Sequence, residues 1–154
     1  MSRIQYYKQE TTYMCGPAVL RMILAAFGIR KTERQAAKLL GTNKVSGTSN
    51  EKFPFVAEKY KLSYVVGRNA VLGDVRQTLA KDYRVIICYV RLAEEEGHYA
   101  VVNKLEKGTI HLFDPYYGRT HKYPIKQFKK YWQRKTRYDK ERGWFFAVKQ
   151  TNGT

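Results

Sequence analysis

The period of the hydrophobic residues changes partway along the chain, and this change constrains the fold more than any other feature. Val19, Leu20, Ile23, Leu24 and Phe27 recur at helical spacing and stop at Gly28, which predicts an amphipathic helix from about Cys15 to Phe27. Pro17 falls in its first turn, where a missing N–H costs nothing. A second helix is predicted from Thr32, with Gln35 three residues on completing a capping box, to just before Gly41. The polar stretch from Thr42 to Asn50 reads as a loop. A third helix follows Ser49 and is expected to start late because of Pro54.

Beyond this point extended segments take over. Leu62 to Val66 reads as a strand, Val71 to Leu79 as a helix, and Val85 to Val90 as a β-branched strand. His98–Asn103 and Thr109–Phe113 form a hairpin around Lys107-Gly108. A helix from Pro124 to about Trp132 and a strand from Trp144 to Val148 close the chain. Helices first and antiparallel strands afterwards give an α+β fold of two layers, with the N-terminal helices packed on an antiparallel sheet. No repeat, low-complexity tract or linker interrupts the 154 residues, so a single domain over 1–154 is expected.

Composition narrows the function classes. The chain is 44% hydrophobic, yet its apolar runs fall well short of the ~20 residues of a membrane helix. Its first residues lack a secretory signal, so a cytoplasmic protein is expected. Cys15 and Cys88 cannot make a disulfide framework, and Cys88 sits in an apolar run typical of a buried structural thiol. Those cysteines and three scattered histidines do not have metal-ligand spacing, and no cofactor is expected. The 29 Lys and Arg against 13 Asp and Glu give a net charge of +16, which favours acidic partners. The densest basic segment, Lys122 to Arg142, also carries Tyr123, Phe128, Tyr131, Trp132 and Tyr138. The reading adopted is a solvated basic face with its aromatics turned inward, rather than a nucleic-acid surface.

Three residues have the makings of acyl-transfer chemistry. The thiolate is the reactive form of cysteine, and a helix N-terminus or a nearby imidazolium favours it. Cys15 opens the first predicted helix, with Gly16 removing bulk beside the thiol. His98 heads a strand, and Gly97 before it leaves the imidazole open to a cleft. Asp114 ends the neighbouring strand, before Pro115, so the hairpin brings positions 98 and 114 to the same end. A carboxylate placed there can hold one imidazole nitrogen and leave the other facing the thiol. Gln9, six residues before Cys15, could pair its amide with the Cys15 backbone N–H to stabilise an oxyanion, each such donor being worth ~3–4 kcal/mol of barrier.

The run from Gln9 to Ala18, the segment Gly97-His98-Tyr99-Ala100-Val101-Val102, and Phe113-Asp114-Pro115 with Gly118 together resemble the C39 family of cysteine peptidases. These are papain-like domains best known from bacteriocin-exporting ABC transporters. The resemblance implies a papain-like fold and a cysteine peptidase that cleaves a peptide bond, often after Gly-Gly in a leader peptide. It assigns Cys15 as nucleophile, His98 as base, Asp114 as its orienting acid and Gln9 as oxyanion donor. The implied partners are a peptide or protein substrate, acidic or Gly-Gly-containing, and a separate membrane transporter. Met14 stands where family members often carry an acid. The competing expectation is a non-catalytic module on the same fold, holding an acidic peptide or nucleic acid on its basic surface.

Overall fold

The computed structural model describes residues 3–90, 96–134 and 141–151. Three helices come first. α1 (Cys15–Ala26) begins at the cysteine and ends at Phe27 and Gly28. α2 (Glu33–Leu40) is closed by the expected capping box. The Thr32 hydroxyl accepts from Gln35 N at 3.1 Å, and Gln35 Oε1 accepts from Thr32 N at 3.0 Å. Gly41 follows at φ 62°, the left-handed conformation that ends a helix with least strain in glycine. α3 (Lys52–Lys59) starts before Pro54 rather than after it, because the first turn needs no N–H from that residue.

Six strands form one sheet, antiparallel at every pairing. They are β1 (Ser63–Gly67), β2 (Arg84–Tyr89), β3 (His98–Glu106), β4 (Thr109–Asp114), β5 (Gly118–Pro124) and β6 (Phe145–Lys149), in the spatial order β1-β6-β2-β3-β4-β5. The β3–β4 hairpin turns at Lys107-Gly108, both at positive φ. β5 is an edge strand that the sequence reading did not include. α4 (Leu72–Ala80) and α5 (Ile125–Trp132) complete the elements.

The sheet is covered on both faces, so the fold has three layers where two were expected. Ile86, Cys88, Tyr99, Val101, Phe146 and Val148 pack against α1, α2 and α3. Their strand neighbours Val85, Ile87, Tyr89, Ala100, Val102, Phe145 and Ala147 pack against α4 and α5 instead. Alternate strand residues point to opposite faces, and when both faces are apolar the alternation that betrays a solvated face disappears. Cys88 is buried in β2. In α5, Phe128, Tyr131 and Trp132 turn inward while Lys126, Lys129 and Lys130 are exposed, a solvated basic face; Tyr138 lies outside the described residues. Among the described residues no helix is long and apolar enough to cross a membrane.

Candidate active site

The site forms where the start of α1 meets the ends of β3 and β4. Register does most of the placing. β3 pairs with β4 from Val101↔Phe113 to Glu106↔Thr109, so His98 and Asp114 share one end of the hairpin. His98 Nε2 lies 2.8 Å from Asp114 Oδ1, and Cys15 is near enough to the same imidazole to help raise its pKa. With Nε2 engaged by the carboxylate, Nδ1 is the nitrogen left for sulfur. The imidazole is not open to a cleft as expected, since His98 is only 5% exposed.

The end of α1 beneath the thiol is electropositive. Met14, its N-cap, provides no side-chain acceptor, and the first turn carries no acidic residue. The N–H groups there retain the partial positive charge of a helix N-terminus. Gly16 has a different role from that expected. A Cβ on it would sit 2.3 Å from Thr48 Oγ1 and 2.7 Å from Thr48 Cβ, so the glycine admits the 42–50 loop rather than clearing space at sulfur. That loop is braced by Thr42 Oγ1···Thr48 Oγ1 at 2.6 Å and by the Tyr99 hydroxyl, which reaches Thr48 O and Asn50 Oδ1.

Asp114 is fully buried and saturated with donors. Its Oδ1 accepts from His98 and from the backbone N–H of Tyr116 and Tyr117, both at 2.9 Å. Its Oδ2 accepts from Tyr89 Oη at 2.5 Å. The residue is therefore both a turn-forming acid and the partner of the histidine. Burial alone would raise its pKa, but the His98 hydrogen bond and charge outweigh it, and the carboxyl is held below its ordinary value of 3.8. For His98, burial alone would lower the pKa. The hydrogen bonds and charges of Asp114 and Cys15 prevail and raise it from 6.5 to about 9.

Gln9 is buried at the same site, but its amide is engaged. Nε2 donates to Thr11 O at 2.8 Å and Thr12 O at 3.3 Å, and Oε1 has no partner among the described residues. Its backbone is tied to the acid's strand by Gln9 N to Pro115 O at 2.9 Å, near Tyr6 Oη, which donates to Asp114 O at 2.6 Å. One residue on, Glu10 N donates to both carboxylate oxygens of Glu33, at 3.1 and 3.0 Å. Burial, then the neighbouring Glu10 carboxylate, push Glu33 up to about 7 against the lowering effects of the Glu10 N–H and Arg21. Glu33, Thr48, Tyr6 and Tyr89 were not foreseen. Each acts through a contact distant in sequence, such as the 25 positions between Tyr89 and Asp114, and no local pattern announces it.

The model of the Peptidase_C39 like family matches residues 1–140. The chain belongs to this family. An uncharacterized protein of Methanothermobacter thermautotrophicus is 32% identical over 111 residues, covering 72% of this chain and 71% of that protein. The peptidase domain of Streptococcus ComA, a bifunctional ABC transporter involved in quorum sensing, superposes with a TM-score of 0.77 at 18% identity. The superposition covers 97% of this chain and 100% of that one. A double glycine motif protease from an AMS/PCAT transporter, solved with its leader peptide, superposes with a TM-score of 0.71, also at 18% identity, over 97% of this chain and 94% of that one. At such identities the likeness establishes the fold alone: helices and an antiparallel sheet arranged as in C39 peptidase domains. Family and fold together support a peptidase-like function. Among the described residues no group of three or more His, Cys, Asp or Glu is placed to hold a metal ion.

The charged pair makes stability depend on pH. A histidine whose folded pKa is raised contributes stability that is complete below its unfolded value and lost as pH climbs through the folded one. The His98 contribution is therefore full below pH 6.5 and lost toward about pH 9. Glu33, raised from 4.5 to about 7, adds a decline of its own at lower pH, so the quantity to measure is a difference. The melting temperature of the wild type minus that of His98→Gln is expected to fall between pH 6.5 and 9. A difference that stays flat across that window would contradict the assignment.

Proposed function

We propose that this C39-like chain is a cysteine peptidase in which Cys15 attacks the scissile carbonyl. The observation that carries the reading is the buried His98 imidazole, held by Asp114 Oδ1 at 2.8 Å, with Cys15 at the adjoining helix start acting on its protonation. In the attack, a thioester bond forms and the tetrahedral oxyanion collapses with loss of the amine. His98 holds the thiol proton and delivers it to that leaving nitrogen. A water, deprotonated by the same imidazole, then hydrolyses the thioester. Asp114 fixes the ring and stabilises its charged form. The backbone N–H of Cys15, at an uncapped helix start, is the primary oxyanion donor. Gln9 joins it once its amide turns away from the Thr11 and Thr12 carbonyls.

The finer substrate reading is a peptide with small residues before the cut, Gly-Gly in a leader peptide, delivered in association with a separate membrane transporter. Its support is the likeness to transporter-borne peptidase domains. An acidic leader would suit the +16 charge of the chain.

The test combines thiol reactivity with turnover. Alkylation of Cys15, followed by peptide mass mapping, is expected to persist well below pH 8.5, where a simple thiol loses reactivity, and to lose that persistence in His98→Ala. A library of Gly-Gly peptides should be cleaved by the wild type and left intact by Cys15→Ala. Alkylation indifferent to His98 would sink the peptidase reading.

A further inference from the structure

Tyr89 stands behind the acid of this site in a way that core packing does not explain. It ends β2 directly opposite His98 in the β2–β3 register. Its ring meets the imidazole edge-on, with centroids 5.4 Å apart and planes at 82°. The residue is fully buried, and its hydroxyl donates to Asp114 Oδ2 at 2.5 Å. A buried hydroxyl without a partner costs stability, so a position needing only an aromatic ring is better filled by phenylalanine. The other donors described for this carboxylate, His98 and the N–H groups of Tyr116 and Tyr117, converge on Oδ1. With Tyr89 on Oδ2, both oxygens of the carboxylate are held, and its rotation about the side chain is restrained. Tyr89 is backed in turn by the ring of Tyr123, which lies edge-on with centroids 5.8 Å apart.

We propose that Tyr89 is a positioning residue for the Cys15–His98 pair, orienting Asp114 through its hydroxyl to make a four-membered chain Tyr89–Asp114–His98–Cys15. The inference rests on the peptidase reading of the same site and adds a member to it. Tyr89 touches no reacting atom. Its hydroxyl steadies the anion that steadies the imidazolium, and its ring walls one side of the histidine. The hydrogen bond from Tyr89 is among the influences that favour the ionised form of Asp114, after burial, which opposes it, and the His98 hydrogen bond and charge.

The experiment measures alkylation of Cys15 by iodoacetamide in the full chain, as a function of pH, with peptide mapping to separate it from Cys88. In Tyr89→Phe the acid limb of the profile is expected to move to higher pH, with the rate at pH 6 falling about tenfold. Replacing Tyr89 by a difluorotyrosine, a stronger donor of nearly the same shape, is expected to move the limb the other way. In an Asp114→Ala background, where no carboxyl or amide remains for the hydroxyl to hold, Tyr89→Phe should move the alkylation profile no further, which a general packing defect would not reproduce. If the wild type shows the His98-dependent profile and both Tyr89 variants superpose on it, the inference is overturned while the peptidase reading stands. If the wild type itself lacks that profile, the peptidase reading fails and this inference fails with it. Should Tyr89→Phe not fold, the difluorotyrosine variant decides, because it preserves the packing.

Discussion

Asp114→Ala is expected to lower the unfolding free energy by about 3–5 kcal/mol, the usual cost of removing one partner from a buried ion pair. It is also expected to slow the alkylation of Cys15 at pH 6 by up to about 300-fold, the ratio between a full thiolate and the thiolate fraction of an ordinary thiol of pKa ≈ 8.5 at that pH. The two effects have one origin. The carboxylate is fully buried and accepts from the His98 imidazole, the Tyr89 hydroxyl and the N–H groups of Tyr116 and Tyr117. Alanine leaves all four donors without their acceptor, and each unsatisfied buried group adds to the penalty. It also removes the charge that keeps the imidazole protonated beside sulfur. Asp114→Asn should fall between alanine and wild type in both measurements. Its amide oxygen can still accept from His98, and the Tyr89 hydroxyl can reverse to accept from the amide N–H. Urea unfolding at pH 6 and the alkylation profile check these expectations together. An alanine variant that unfolds at the wild-type midpoint would show that Asp114 is not the buried anchor described.

The second large effect is far from the thiol. Gly143→Ala is expected to destabilise the protein by about 3 kcal/mol, from left-handed strain together with a backbone clash. Gly143 has φ +59°, and a Cβ on it would lie 2.6 Å from Ala70 N and 2.7 Å from Ala70 O. Backbone cannot move aside as a flexible side chain can. The same glycine ties its segment to two others: its N–H donates to Trp132 O at 2.8 Å and its carbonyl accepts from Ala70 N at 3.1 Å, beside the bond from Asn69 N to Arg142 O at 2.7 Å. Displacing it disturbs the entry to β6, which lies between β1 and β2 in the sheet. Gly108→Ala is the natural comparison. Gly108 also has positive φ, +74°, but nothing lies within 4 Å of its Cβ position, so a cost of about 1 kcal/mol from strain alone is expected. Thermal or urea unfolding of the two variants separates crowding from strain. Equal losses would mean that the approach of Ala70 contributes nothing.

Local signals were read correctly where local physics decides. The Thr32–Gln35 box, the left-handed Gly41 and the Lys107-Gly108 turn are each governed by a few neighbouring residues, and the helices and the hairpin appear where these predict them. The hairpin also made the meeting of His98 with Asp114 legible, because register follows from the turn. β5 escaped notice because Gly118 to Pro124 contains no apolar run. It is an edge strand, and polar, charged edges are how sheets avoid pairing with strangers. The third layer escaped because strands buried on both faces lose their alternation. At the site, the position of Gln9 was readable but the direction of its amide was not. Whether that amide faces a loop carbonyl or a substrate depends on side-chain torsion, not on spacing. Tyr89 looked like one more member of a hydrophobic strand, since nothing in Val85 to Val90 distinguishes a tyrosine that fills space from one that holds a carboxylate 25 residues away.

The sulfur rides on α1 in one layer, whereas the imidazole and the carboxylate belong to the sheet. Gly16 against Thr48, and Tyr99 against the 42–50 loop, pin those layers together beside the thiol. Proteins open locally in cooperative pieces. Under the peptidase reading, a copy whose helical layer is not yet seated, or has come loose, carries every reactive group and yet cannot cut. On that reading, competence is conferred only by the final docking of the layers.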